Sequence, residues 1–287
     1  MTTDATVVVD RRFETGEGPL WHEEDQRLYW TDIPAGNLHR YDPTTGDVEQ
    51  FYEGESVGGF TIQSDGDLAL FMTEGHVALH RDGELETVID GIAGEDGMRF
   101  NDVIADPHGR VFAGTMDVDD FSVGRLYRLD TDGTITEILE SIELPNGMGF
   151  TPDQSELYVT ESNANTIHLY DYDEATGEIS DPRTFAELPD EKGMYDGLTV
   201  DAEGRVWSAL WGGNAIVRHD ADGEIAERFE IPAEYVTCPT FGGESLTDLY
   251  VTSAASDADP DEPHAGAVFH LEPGVEGTPE FTSNISP

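Results

Sequence analysis

The chain has 287 residues, with 61 aspartates and glutamates against 14 lysines and arginines and a formal net charge of −47. A surface this acidic repels nucleic-acid phosphates and anionic lipid, so neither is an expected partner. Its 37% hydrophobic content arrives in short, regular strands, which excludes a disordered acidic chain and predicts an all-β protein.

Taken in order, the strands recur. Residues 5–9 are a β-branched run with nothing nearby to pair with. After them the segments LYWTD, LALFM, VFAGT, LYVTE, VWSAL and LYVTS put Leu28, Leu68, Val111, Leu157, Val206 and Leu249 in one register, at intervals of 40 to 49 residues. Six units of that period predict a six-bladed β-propeller, in which each four-stranded blade buries its faces against its neighbours. The ring takes up residues 1–287 as a single domain. Residues 5–9 then complete the last blade, beside 249–253, 266–271 and 280–282, and close the ring.

Ten or eleven residues before each register position stand Glu17, Val57 or Gly58, Asn101, Asn146, Asp196 and Cys238. Equivalent positions of successive blades face the axis at one height, so Glu17, Asn101, Asn146 and Asp196 are expected to converge as a ring of hard ligands. Blade one opens with Gly16-Glu17-Gly18-Pro19, a turn that frees the backbone to approach a ligand, and continues into a hairpin of residues 37–41 and 48–52. Blade two carries Gly58-Gly59-Phe60 and is expected to supply no ligand; Phe60 is a core residue or a cavity wall.

The glycine-rich residues 91–97 are expected to lie over the axial site. Arg99, two residues before Asn101, shares its side of the strand and either binds a polar part of a substrate or pairs with a carboxylate. The acidic residues 116–122, with Phe121 as their large apolar side chain, read as a lid or substrate wall. In Asn146-Gly147 and Asp196-Gly197 the glycine is expected to admit the backbone to a bound ion. Trp30, Trp207 and Trp211 alternate along strands and are assigned to the core between blades, and Asp153, Asp201 and Gly204 to connecting turns.

No serine nucleophile elbow, P-loop, dinucleotide fingerprint or HExxH motif occurs. His22, His39, His80, His108 and His219 fall on outer strands or turns, which argues against a zinc site of histidines. The lone Cys238 forms no intramolecular disulfide, which fits a reducing compartment. No run of 18 apolar residues occurs and MTTDATVVVD lacks the features of a signal peptide, so a soluble, cytoplasmic protein is expected. The acidic residues are spread over the turns of every blade, where their mutual repulsion is relieved by concentrated salt; the Debye length falls to about 3 Å at 1 M. A salt-loving cytosol is the expected setting.

The pieces GEGPLW at 16–21, RFNDVIADPHGRVFAGTM at 99–116, PNGMGFTPD at 145–153, YDGLTVDAEGRVW at 195–207, CPTFGG at 238–243 and LYVTSA at 249–254 carry a family likeness. Over essentially its whole length the sequence resembles the regucalcin and gluconolactonase family of six-bladed propellers. The resemblance implies a sugar lactonase with one divalent cation in the axial channel, held by Glu17, Asn146 and Asp196. It also implies substrate contacts at Arg99, Asn101 and an acidic residue just after the AGTM strand, for which Asp117, Asp119 and Asp120 are available. The family's proline before the fifth-blade aspartate is Tyr195 here.

The expected site is therefore a metal bound by Glu17, Asn101, Asn146 and Asp196, with Arg99, Asn101, Asp117, Asp119 and Phe121 around the substrate. Asp196 is the candidate catalytic base, or else only a ligand that orients water. The oxygen donors suit Ca²⁺, Mg²⁺ or Mn²⁺, with Zn²⁺ and Fe²⁺ as the remaining choices. The expected reaction is hydrolysis of a small pentono- or gluconolactone to the aldonic acid by a monomer or weak homo-oligomer. Competing readings are a Ca²⁺-binding regulatory protein, an interaction propeller, and a phosphotriester hydrolase using the same metal ring.

Overall fold

A computed structural model describes residues 4–188 and 192–287, and every regular element among them is a strand. The strands form six antiparallel four-stranded sheets, the blades of a β-propeller. Each blade has an inner strand at the channel: Gly16–His22, Gly59–Ile62, Met98–Ala105, Pro145–Phe150, Met194–Val200 and Tyr235–Gly242. The six register residues all lie on second strands, where Leu28, Val111, Leu157, Val206 and Leu249 are fully buried. A second strand has a blade face on either side, so both of its faces must be apolar, and runs such as LALF follow from that.

Packing closes the ring. Six apolar clusters fill the six interfaces between adjacent blades. Between blades six and one, for instance, Trp21 stacks on Tyr250 with ring centroids 5.7 Å apart, and Phe13 meets Trp30 edge-on. Truncating a side chain of this size in a filled interface costs about 3–5 kcal/mol. Thr6–Val9 pairs antiparallel with Val268–Leu271, Thr6 opposite His270, so the first strand of the chain completes the last blade as its residues predict.

The prediction for residues 280–282 is corrected. They form no blade strand, because the outer place in the last blade is taken by Thr6–Val9. The C-terminal segment instead straps the end of the ring. Gly277 donates to the Leu246 carbonyl at 2.8 Å, and Ala202 donates to that of Glu276 at 2.9 Å. Phe281 packs against Phe150, Ser283 donates to the Ile62 carbonyl, and Asn284 donates to that of Gly109. These contacts touch blades six, five, four, two and three in turn.

The connecting turns hold more than bends. Asp106 and Asp201 are fully buried and each pairs with an arginine four residues on, Arg110 and Arg205, while Asp201 also accepts a hydrogen bond from Trp207 Nε1 at 3.0 Å. Residues 91–97 do not line the axial cavity. Their Glu95 is buried and accepts from Arg125 at 2.5 Å and Tyr127 at 2.7 Å, which ties the segment to blade three. His22, His39 and His219 are buried packing residues, His22 at the end of an inner strand.

Candidate active site at the channel mouth

The inner strands share an irregularity. Pairing with the second strand slips between Glu17 and Leu20, between Phe100 and Val103, between Pro145 and Met148, between Tyr195 and Leu198, and between Val236 and Pro239. Such bulges re-aim side chains that strict alternation would turn into a blade interface. The slips contain Asn101, Asn146, Asp196 and Cys238, and that of blade one starts at Glu17, the same positions that the repeat register picks out. Blade two pairs Gly59–Ile62 without a slip and contributes nothing to the mouth cavity.

Glycines let the inner strands crowd together. A Cβ on Gly147 would stand 2.2 Å from Leu198 N, one on Gly197 2.4 Å from Cys238 Sγ, and one on Gly58 1.8 Å from the Phe100 carbonyl. The expectation that Gly147 and Gly197 make room for an ion is corrected: they make room for the neighbouring blade. The narrowed channel is what brings the polar side chains together.

Glu17, Asn101, Asn146 and Asp196 are all buried and all line one cavity of 310 Å³. Asn146 donates through Nδ2 to Asp196 Oδ1. Only the amide nitrogen can donate to a carboxylate, so this bond leaves Asn146 Oδ1 pointing away, buried and without a partner. Glu17 Oε2 accepts from Gly18 N at 2.6 Å. Asn101 differs from Asn146: its Oδ1 accepts from Arg99 Nη1 at 2.8 Å and its Nδ2 donates to the Pro145 carbonyl at 3.0 Å.

The sequence reading missed Asp102. The bulge after Phe100 lets Asn101 and its neighbour both reach the channel, against the alternation of a regular strand. Asp102 lines a 40 Å³ cavity with Cys238, Phe60 and Glu280 of the C-terminal strap. Phe60 therefore faces this cavity and the core between blades one and two, not the mouth. Burial pushes Asp102 up to about 7, and burial likewise pushes Glu280 up to about 7.

Burial, and after it repulsion from Asp102, raises Glu17 and Asp196 well above the usual carboxylate range. Arg99 is drawn down to about 10 by burial, against the pull of Glu17, Asp102 and Asp196. Once deprotonated, the three carboxylates facing one guanidinium would leave about two negative charges uncompensated, and one divalent cation would balance them. Two carboxylates with an unpartnered amide oxygen form a hard-donor set that fits such an ion. Among the described residues no group of three or more His, Cys, Asp or Glu side chains offers an alternative metal site.

Arg99 and Phe121 line the same cavity, and Asn163 Nδ2 anchors the Phe121 carbonyl at 2.6 Å. Asp117 and Asp119 are not among the lining residues; Asp117 Oδ1 accepts from the backbone N–H groups of Asp119 at 2.8 Å and Asp120 at 3.0 Å, shaping the loop. Trp30 and Trp207 are buried between blades as expected, but Trp211 is corrected: it is half-buried and lines the mouth, beside Met194. Blade six adds Ser256 and Asp257, which no sequence signal singled out.

A six-bladed propeller with two buried carboxylates and an unpartnered amide oxygen on a monosaccharide-sized cavity at the channel mouth defines a candidate small-molecule site. The chain belongs to the family described as SMP-30/Gluconolactonase/LRE-like region, which matches residues 15–255. It is 47% identical to Pentonolactonase XacC of Haloferax volcanii over 98% of each chain, and 34% identical to L-arabinolactonase of Azospirillum brasilense over 92% of this chain and 90% of that one. Among solved structures it is similar to a calcium-binding protein, regucalcin, from Agrobacterium tumefaciens, with a TM-score of 0.90, 27% identity, and coverage of 100% of this chain and 98% of that one.

Proposed function

We propose that this protein is a metal-dependent hydrolase that opens a small sugar lactone to the aldonic acid, with residues 1–287 acting as one closed unit in a salt-rich cytosol. The observation that carries the reading is the convergence of Glu17, Asn146 and Asp196 from three blades on one cavity, with both carboxylates buried and the amide oxygen Oδ1 unpartnered. The lactonase names of relatives that span nearly the whole chain point the same way. The buried Cys238 supports a reducing compartment.

Glu17, Asn146 and Asp196 would hold the divalent cation, and Ca²⁺, Mg²⁺ or Mn²⁺ suits their oxygen donors better than Zn²⁺ or Fe²⁺. When bound, the ion supplies Lewis-acid polarisation of the lactone carbonyl. Asn101 sits at the edge of the metal set, since its oxygen already serves Arg99. Arg99 is the cation placed to hold the carbonyl or ring oxygens where negative charge develops. Asp196, oriented by Asn146, accepts a proton from the attacking water. Water adds to the carbonyl carbon, the bond from that carbon to the ring oxygen breaks, and the ring oxygen takes a proton. Phe121 walls the cavity; Asp117 and Asp119 act through the shape of the loop that carries it.

The Ca²⁺-binding regulatory and phosphotriester readings are not favoured, because the relatives spanning the chain include several named for sugar lactones. The test is a pH-stat assay in molar KCl on a panel of pentono- and gluconolactones, with and without chelator. Chelator-sensitive opening is expected. A protein that binds the cation but opens none of the panel would sink the hydrolase reading.

A further inference from the structure

The mouth cavity is chemically two-sided. Arg99 and Asn101 come from blade three, and Asp257 comes from blade six, which lies diametrically across a six-bladed ring. Between them, on blade five, Trp211 lines the cavity with its ring packed against Tyr235, centroids 4.9 Å apart at 55°. That contact holds the indole in place, so little side-chain freedom is lost when a ligand meets it. A sugar lactone has the matching asymmetry: C–H groups on a ring face, hydroxyls on the rim, and an exocyclic end that in many metabolites carries a phosphate or sulfonate.

We propose that Trp211 and Asp257 set the specificity of this site, the indole as the platform for the C–H face of the lactone ring and the Asp257 carboxylate as acceptor for an exocyclic hydroxyl. The inference rests on the lactonase reading and narrows it to neutral lactones. With the carbonyl end near Arg99, the exocyclic end points across the mouth to blade six. There an exposed carboxylate with no hydrogen-bond partner among the described residues favours a hydroxyl donor and opposes an anion. Arg99, the cation of the cavity, already donates to the Phe100 carbonyl and Asn101 and faces three carboxylates, so it offers little to a second anionic group. The volume of 310 Å³ lies at the small end of ligand pockets, which fits a monosaccharide.

The test compares wild type, Trp211→Phe, Trp211→Ala, Asp257→Asn and Asp257→Lys on gluconolactone and 6-phosphogluconolactone, in one molar KCl concentration with saturating divalent cation. Melting curves in the same buffer verify that each variant folds. Wild type is expected to prefer the neutral lactone by about tenfold in kcat/KM, since molar salt weakens the repulsion from an exposed carboxylate, a preference that falls to near unity in Asp257→Lys and less far in Asp257→Asn. Trp211→Ala is expected to raise KM about tenfold with kcat changed by less than about threefold, and Trp211→Phe to restore most of the loss. A neutral-to-anionic ratio that is near unity in wild type, or that Asp257→Lys leaves unchanged, overturns the role of Asp257. A Trp211→Ala enzyme with unchanged KM overturns the platform. Failure of wild type to open either lactone is a different result, since it removes the lactonase reading itself.

Discussion

Asn146 and Asp196, from the inner strands of adjacent blades, share a hydrogen bond in which the amide nitrogen of Asn146 donates to Asp196 Oδ1. One bond orients two groups. It fixes the carboxylate in the channel and turns the amide oxygen, buried and unpartnered, toward the place where a cation would sit. Asn146→Ala is therefore expected to weaken divalent-cation affinity about 10- to 100-fold by titration calorimetry, although Asp196 itself is unchanged.

Removing charge from the ring separates binding from folding. Glu17→Gln and Asp196→Asn are each expected to lower lactone opening by about 100-fold or more and to abolish the rise in Tm on adding the cation. In the absence of cation their Tm should match or exceed that of wild type, because each takes away a buried, repelled carboxylate. Retention of both activity and the metal-induced rise would remove these residues from the site.

Arg99 is placed to act on substrate without ligating a cation. Arg99→Ala is expected to reduce kcat/KM about 10- to 100-fold, the loss expected for a hydrogen bond to a charged group. Metal stoichiometry should stay at the wild-type value. Release of the metal in this variant would show that Arg99 holds the ring together rather than the substrate.

The raised carboxylates predict how stability depends on pH. In the metal-free protein Glu17, Asp102 and Asp196 keep protons at pH values where the unfolded chain has released them. Their contribution is fully present below the ordinary carboxylate range near 4 and is lost as pH rises through the raised folded-state values, which for Asp102 is about 7. The metal-free Tm should thus fall between about pH 5 and 8, and saturating cation, which binds the deprotonated ligands, should remove that fall. Asp42 and Glu55, whose hydrogen bonds hold them below the usual range, titrate under this window. Melting curves of wild type and Glu17→Gln across the range test the assignment; an equal slope in both would place its origin elsewhere.

Charge over the whole molecule predicts the response to salt. With 61 acidic against 14 basic side chains, most carboxylates have no counter-ion on the protein, and folding concentrates them. Tm is expected to rise steeply between dilute buffer and molar KCl, where the Debye length falls to about 3 Å, and the cation should add its own increment at any fixed salt. Identical melting curves in dilute and molar KCl would leave the acidic surface without this explanation.

The architecture and the polar ring were legible in the residues because a propeller repeats. Leu28, Leu68, Val111, Leu157, Val206 and Leu249 mark second strands, and a constant offset from them reaches Glu17, Asn101, Asn146 and Asp196. Rotational repetition turns equal sequence spacing into equal height on the axis. What escaped the sequence depended on contacts between segments far apart in the chain. Asp102 reaches the channel through a bulge, which breaks the two-residue alternation on which strand reading rests. Trp211 shares its strand face with Trp207, yet it stands at the strand end, where the blade interface gives way to the open mouth. Residues 280–282 have the composition of a strand, but the last blade had already been completed by Thr6–Val9, and the tail was left to strap the ring. Gly147 and Gly197 are required by the approach of the next blade, a distance that only the closed ring determines.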